Sequence, residues 1–294
     1  MTDKRSIQVL VDDAIYTESP RWHGDALWYS DIGAGQVCRI GATGKEVVLN
    51  IDTASGLGWT RGGEILVSSI RTSTIFRAGP DRIPHAFCGP ESHGVRGTND
   101  MATVGTRSYV TCSGRDHHPG DDVSLLAQPI GKIIMIDHDT ATCSIVASEL
   151  RMPNGIAVSA DGRTLVVAEI FAQRILHFDI GADGSLSKPR VFLDVDHGMD
   201  GLALDAAGAI WVGAGNADKF HRIDRNGKYT DSVEVPGWTC IAPMLGGTDG
   251  RTLFMAVSKN GGADAIFEGR AQARIISTRV DVPAAPEPLP YLPS

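Results

Sequence analysis

No apolar run in this chain approaches the length of a membrane span, and the opening "MTDKRSIQVL" has no apolar core of the kind a signal peptide needs. Basic residues are the minority: 27 Lys and Arg stand against 35 Asp and Glu, and the net charge is −8. That balance, with no basic run, argues against nucleic acid and anionic membrane surfaces as partners. The five cysteines (Cys38, Cys88, Cys112, Cys143, Cys240) are odd in number and show no C-x-x-C spacing. They read as reduced thiols, which implies a cytoplasmic setting. There is no G-x-S-x-G elbow, no H-E-x-x-H and no phosphate loop, so serine-hydrolase, zincin and nucleotide chemistry lack their usual marks.

What the chain has instead is glycine, 34 of them in 294 residues, and a repeated hairpin. "PNGIAVSADGRTLVVAE" (153–169) is echoed by "MDGLALDAAGAIWVGAG" (199–215). The template recurs six times, starting at Glu18, Ser55, Asn99, Asn154, Asp200 and Thr239. The starts are 37 to 55 residues apart, the range of propeller blades. A third apolar run follows each copy, and a fourth follows most, for example "RVFLD" (190–194). Four short antiparallel strands per repeat make a blade. The sixth repeat has no fourth run, whereas "SIQVLV" (6–11) stands before the first repeat with no blade of its own. The sequence therefore predicts an all-β, six-bladed β-propeller over residues 1–282, with the N-terminal strand closing the last blade and hiding two open edges. The Pro-rich end, 283–294, reads as a tail that is extended on the surface or partly disordered.

The first strand of a propeller blade is innermost, so the six opening residues ring the axis on one face. All six are polar, and Glu18 and Asp200 are acids. Two carboxylates converging at a partly buried point repel unless a proton or cation lies between them. Their oxygens, with the Asn amides, suit a hard cation such as Ca²⁺, Mg²⁺ or Mn²⁺. Taken singly, Asn-Gly and Asp-Gly are also ordinary turn signals. Strand alternation puts the loop between strands two and three over the same face. In the third repeat that loop, 113–131, is long. It carries His117 and His118, which are adjacent and so poorly placed to chelate one zinc ion together.

"ESPRW" (18–22), "TND" (98–100), "PNGIAVSADGRTLVVAE" (153–169) and "DGLALDAAGAIWV" (200–212) resemble the most recognisable segments of the SMP-30/gluconolactonase/luciferin-regenerating-enzyme family. The resemblance spans nearly the whole chain. It implies a six-bladed propeller with one catalytic divalent cation, calcium first and Mg²⁺, Mn²⁺ or Zn²⁺ as alternatives, and hydrolysis of small-molecule lactones by a metal-activated water. Carried over by motif, Glu18, Asn154 and Asp200 are the metal ligands, Asp200 is also the general base, and Asn99 faces substrate or completes the metal shell. Sugar-lactone members tend to have Arg two residues before the third-repeat Asn, where this chain has Gly97. Arg96 is adjacent but points differently; with Asn99, His117 and His118 it is a candidate substrate contact. Gly97, together with Leu125, Leu126 and Pro129 in the long loop, leaves room for a lactone or ester more apolar than gluconolactone. The alternatives are a phosphotriesterase-like or strictosidine-synthase-like reaction on the same scaffold, or a binding propeller without catalysis.

Overall fold

The computed structural model describes residues 5–118, 120 and 122–288. Six four-stranded antiparallel sheets stand around a central axis. Their innermost strands are Thr17–His23, Ala54–Trp59, Thr98–Val104, Pro153–Val158, Met199–Leu204 and Thr239–Gly246. Each of the first five sheets is one consecutive stretch of chain. The sixth is assembled from both ends. Thr239–Gly246, Thr252–Lys259 and Gln272–Arg279 are followed by Gln8–Ala14 as the outermost strand. Gln8 pairs with Ser277 and Ala14 with Ala273. The N-terminal strand thus closes the ring, two residues further along than the run 6–11 expected from sequence.

The sheets are apolar on both faces, so each must pack against two neighbours. Six core clusters result, one per interface between blades. Leu57, Val67 and Val37 sit between blades one and two, and Phe178, Ile133 and Tyr109 between three and four. The interface that joins the ends of the chain is filled by Tyr29, Leu27, Phe254 and Ile275. All five cysteines are free thiols. No helix among the described residues is long and apolar enough to cross a membrane.

The start of the Pro-rich end is pinned. Pro283 accepts the Ala206 N–H (2.9 Å), Ala284 donates to Gly250 (2.8 Å) and Ala285 donates to Leu204 (3.1 Å). These bonds lay the segment across blades five and six. The remainder of the expected tail, 289–294, lies outside the described residues.

Every innermost strand breaks register near its start. In blade four Pro153 pairs with Glu169, but the next pair is Ile156 with Val167; in blade five Met199 pairs with Ala214, then Leu202 with Val212. Equivalent shifts occur in the other four blades. The extra residue of a bulge loses its place in the ladder and is re-aimed. Here it is aimed at the axis. The glycines after Ser55, Asn154 and Asp200 are therefore strand residues, not turn residues. A Cβ on Gly155 would stand 2.3 Å from the Asp200 carbonyl oxygen, and one on Gly56 would stand 2.3 Å from that of Asn99. Neighbouring innermost strands approach so closely at these points that no side chain fits.

Candidate active site

Asn99, Asn154 and Asp200 lie within these register shifts and Glu18 immediately before one, and all four expected residues come to the floor of one pocket of about 190 Å³. Glu18, Asn99, Asn154 and Asp200 all line it, and His117 contributes from the long blade-three loop. Glu18, Asn99 and Asn154 are each at most 5% exposed. The Ser19 N–H donates to Glu18 Oε2 (3.1 Å). Ser19 itself has a left-handed backbone (φ 47°), and its hydroxyl donates to Asp100 Oδ1 (2.9 Å). Arg21 reaches the same oxygen (2.5 Å) and also donates to the Met101 carbonyl (2.7 Å). Arg21 and Asp100 thus form a largely buried ion pair next to Glu18.

The fifth ring residue, Ser55, is fully buried and donates to Asn99 Oδ1 (2.7 Å). It orients an amide instead of lining the pocket. The sixth expected residue is a correction: Thr239 is exposed and does not line the pocket. The bulge of the last blade falls between Cys240 and Ala242, so the axial place goes to Ile241, which is buried in the core. Gly155 packs on the Asp200 carbonyl, whereas Gly201 packs on Ala242, with the Ile241 carbonyl oxygen 3.2 Å from where its Cβ would stand.

Two more expected contacts lie elsewhere. Arg96 sits outside the pocket lining, with its Nε 3.5 Å from Asp116 and a donated bond to the Val95 carbonyl (3.3 Å). The left-handed Gly97 (φ 66°) makes this turn, and a Cβ there would stand 2.0 Å from Ser113 Oγ. His118 lines a separate water-sized recess with Arg115, Asp116 and Asp122. His117 is shared between recess and pocket, with Nε2 2.8 Å from Ser113 Oγ.

The walls were not foreseen. Ile32, Ile70 and Ile170 each follow the second strand of their blade and line the pocket. The short helix Ala263–Phe267, in the blade-six loop, adds Ile266 and Phe267. Ile32, Ile266 and Ala271 are the buried centre of a small cluster, with Tyr16, Ile70 and Phe267 packed on it. A signal was present in the repeats: "SDI", "SSI" and "AEI" end the second strand of blades one, two and four. Their acids are structural. Asp31 accepts the Ile15 and Tyr16 N–H groups (both 3.0 Å), and Glu169 accepts that of Arg151 (2.7 Å).

Electrostatically the floor is unsatisfied. Asn154 Oδ1 and Asp200 Oδ1 are buried without a hydrogen-bond partner. Burial, with the charges of Asp200 and Asp100 added, pushes Glu18 well above the usual carboxylate range, with the Ser19 N–H and Arg21 opposing. Burial and then Asp100 push Asp200 up to about 7. Such a site wants positive charge. Its donors are carboxylate and amide oxygens, and no group of three His, Cys, Asp or Glu at metal-binding spacing occurs among the described residues. The floor fits a hard divalent cation better than zinc.

Residues 16–259 match the family described as SMP-30/Gluconolactonase/LRE-like region. The chain belongs to the SMP-30/gluconolactonase/LRE-like family. Within it, a 6-deoxy-6-sulfogluconolactonase of Pseudomonas putida is 24% identical over 164 residues. That stretch is 54% of this chain and 56% of that relative, so the match spans little more than half its length. Regucalcin of Sus scrofa is 21% identical over 265 residues, 86% of each chain. Among solved structures, a calcium-binding protein, regucalcin, from Agrobacterium tumefaciens superposes with a TM-score of 0.79 at 21% identity, covering 98% of both chains. At that identity the superposition establishes the shared propeller fold.

Proposed function

We propose that this member of the SMP-30/gluconolactonase/LRE-like family hydrolyses lactones, with one divalent cation, calcium by preference, held on the pocket floor by Glu18, Asn154 and Asp200. The observation that carries the reading is the pair of buried, unpartnered oxygens, Asn154 Oδ1 and Asp200 Oδ1, beside a second buried carboxylate. The name of the Pseudomonas relative, a lactonase, and the calcium-binding description of the Agrobacterium one support it.

When bound, the cation supplies Lewis acidity, which polarises a carbonyl oxygen and acidifies water. The protein's own groups do the rest. Asp200 accepts the proton of the attacking water, the role of a carboxylate held beside the reacting group. Asn99, whose Oδ1 is tied to Ser55, turns its amide N–H₂ to the ring oxygens of the substrate. Among the described residues the pocket lining contains no Ser, Thr or Cys, and the reading takes direct attack by water as the route.

The test is a panel of sugar, aliphatic and aromatic lactones assayed after chelator treatment and after return of Ca²⁺, Mg²⁺, Mn²⁺ or Zn²⁺ separately. Lactone opening that is lost in chelator and restored by a hard cation is expected. Full turnover in chelator would point instead to metal-free, strictosidine-synthase-like chemistry. No turnover of any lactone with any cation would leave a binding propeller.

A further inference from the structure

The pocket divides sharply into a polar floor and an apolar collar. Above the four floor residues the wall is built from Ile32, Ile70, Leu126, Ile170, Ile266 and Phe267. Three of these isoleucines hold one structural position, the residue after the second strand, in blades one, two and four. The collar is thus a repeated feature of the ring and not one loop's accident. Against it stand two polar wall side chains: Tyr16, and His117, whose Nε2 is already within 2.8 Å of Ser113 Oγ. Gly97 and Gly261 give the wall bare backbone, and at both a Cβ would come within 3.0 Å of a neighbour.

Among the described residues, no Lys or Arg lines the pocket. Arg71, at the rim, lays its guanidinium 4.9 Å from the centre of the Phe267 ring and 3.4 Å from Asp52. A carboxylate, phosphate or sulfonate carried on a substrate's tail, above the cation of the floor, would therefore be desolvated against the collar with no wall cation to pair with it, which is unfavourable at low dielectric. A polyhydroxylated ring would press its hydroxyls against alkyl groups, where they lose water without gaining partners. A hydrocarbon substituent meets neither penalty and gains burial.

We infer that the collar selects a neutral lactone bearing a hydrocarbon chain, with its ester group on the floor and its chain against the isoleucines and Phe267. This rests on the lactonase reading above and names the substrate class within it. The two ring loops that close over the chain are joined: Gly120 donates its N–H to Asp264 Oδ1 (2.6 Å), linking the loop that carries Leu126 to the helix that carries Ile266 and Phe267.

The experiment compares kcat/KM for γ-nonalactone, which carries a pentyl chain, with that for glucono-δ-lactone and unsubstituted γ-butyrolactone. The expected preference for γ-nonalactone over glucono-δ-lactone is at least about tenfold, the scale of burying a few methylenes. Ile170→Asn and, separately, Phe267→Ser should lower the ratio of γ-nonalactone to γ-butyrolactone turnover by a similar factor. Equal or better use of glucono-δ-lactone overturns the inference, as does an unchanged ratio in both variants. Should no lactone be opened with any cation, the lactonase reading fails by itself. Calorimetric titration of γ-nonalactone and of glucono-δ-lactone into the calcium-loaded protein then reads the collar directly. Tighter binding of γ-nonalactone supports hydrocarbon selection, and equal or weaker binding overturns it.

Discussion

On the lactonase reading, Asp200 meets two demands with one carboxylate, charge toward a cation and basicity toward water. Asp200→Asn keeps the shape and one ligating oxygen and removes both. Turnover is expected to fall by about 10²–10⁴-fold at saturating calcium, the usual cost of losing a general base. A rate near wild type under those conditions would remove Asp200 from that role. The same variant has an opposite effect on the metal-free fold. Asp200, raised to about 7, lies above the ordinary carboxyl value of an unfolded chain. Between roughly pH 4 and 7 the native state therefore holds the extra proton, and stability falls as pH rises through that window. In chelator, Asp200→Asn should melt higher than wild type at pH 8, and the gap should shrink toward pH 4. Melting curves across that range check the sign; a lower melting point for the variant at pH 8 would mean that the floor carries no repulsion.

At the scale of strands and loops, blades were readable because alternation and Gly-bearing turns recur at fixed places. The floor was readable for a related reason. "PNG" and "MDG" keep a polar residue and a glycine together, and both are required, one to face the axis and one to let strands touch. Blade six has "TCIAP" in that position, without the pair, so Thr239 was aligned where the bulge actually delivers Ile241. The collar was hidden because its residues lie one step beyond the strands, where apolar side chains carry no period. The helix Ala263–Phe267, five residues long, is too short to show one. The bond between Gly120 and Asp264 makes these two excursions act together. Asp264→Ala should raise KM several-fold, within the roughly tenfold that loss of one hydrogen bond allows, while kcat and melting temperature change little. A KM equal to wild type would mean the loops hold their positions independently.

For the whole molecule, the ring is closed by hydrogen bonds where its ends meet. Removing residues 1–14 would strip the outermost strand from Gln272–Arg279 and uncover Ile275 and Ala273 of the joining interface. A large fall in melting temperature, or aggregation through the bared edge, is expected. Unchanged melting would show that three strands suffice for the last blade.

The closing strand also imposes an order in time. Gln8–Ala14 is made early, but the strand it pairs with lies more than 250 residues later in the chain. At about 5–20 residues per second, synthesis keeps the two apart for roughly 10–50 s. Through that interval the strand has no hydrogen-bonded partner, while five complete blades form behind it. Glu18, in the blade beside this strand, and Asp200, in the blade on the other side of the seam, cannot face one another until the last blade is in place. On the proposed reading, the floor's full affinity for a cation is therefore a property of the closed ring alone, and a nascent propeller of five blades lacks it.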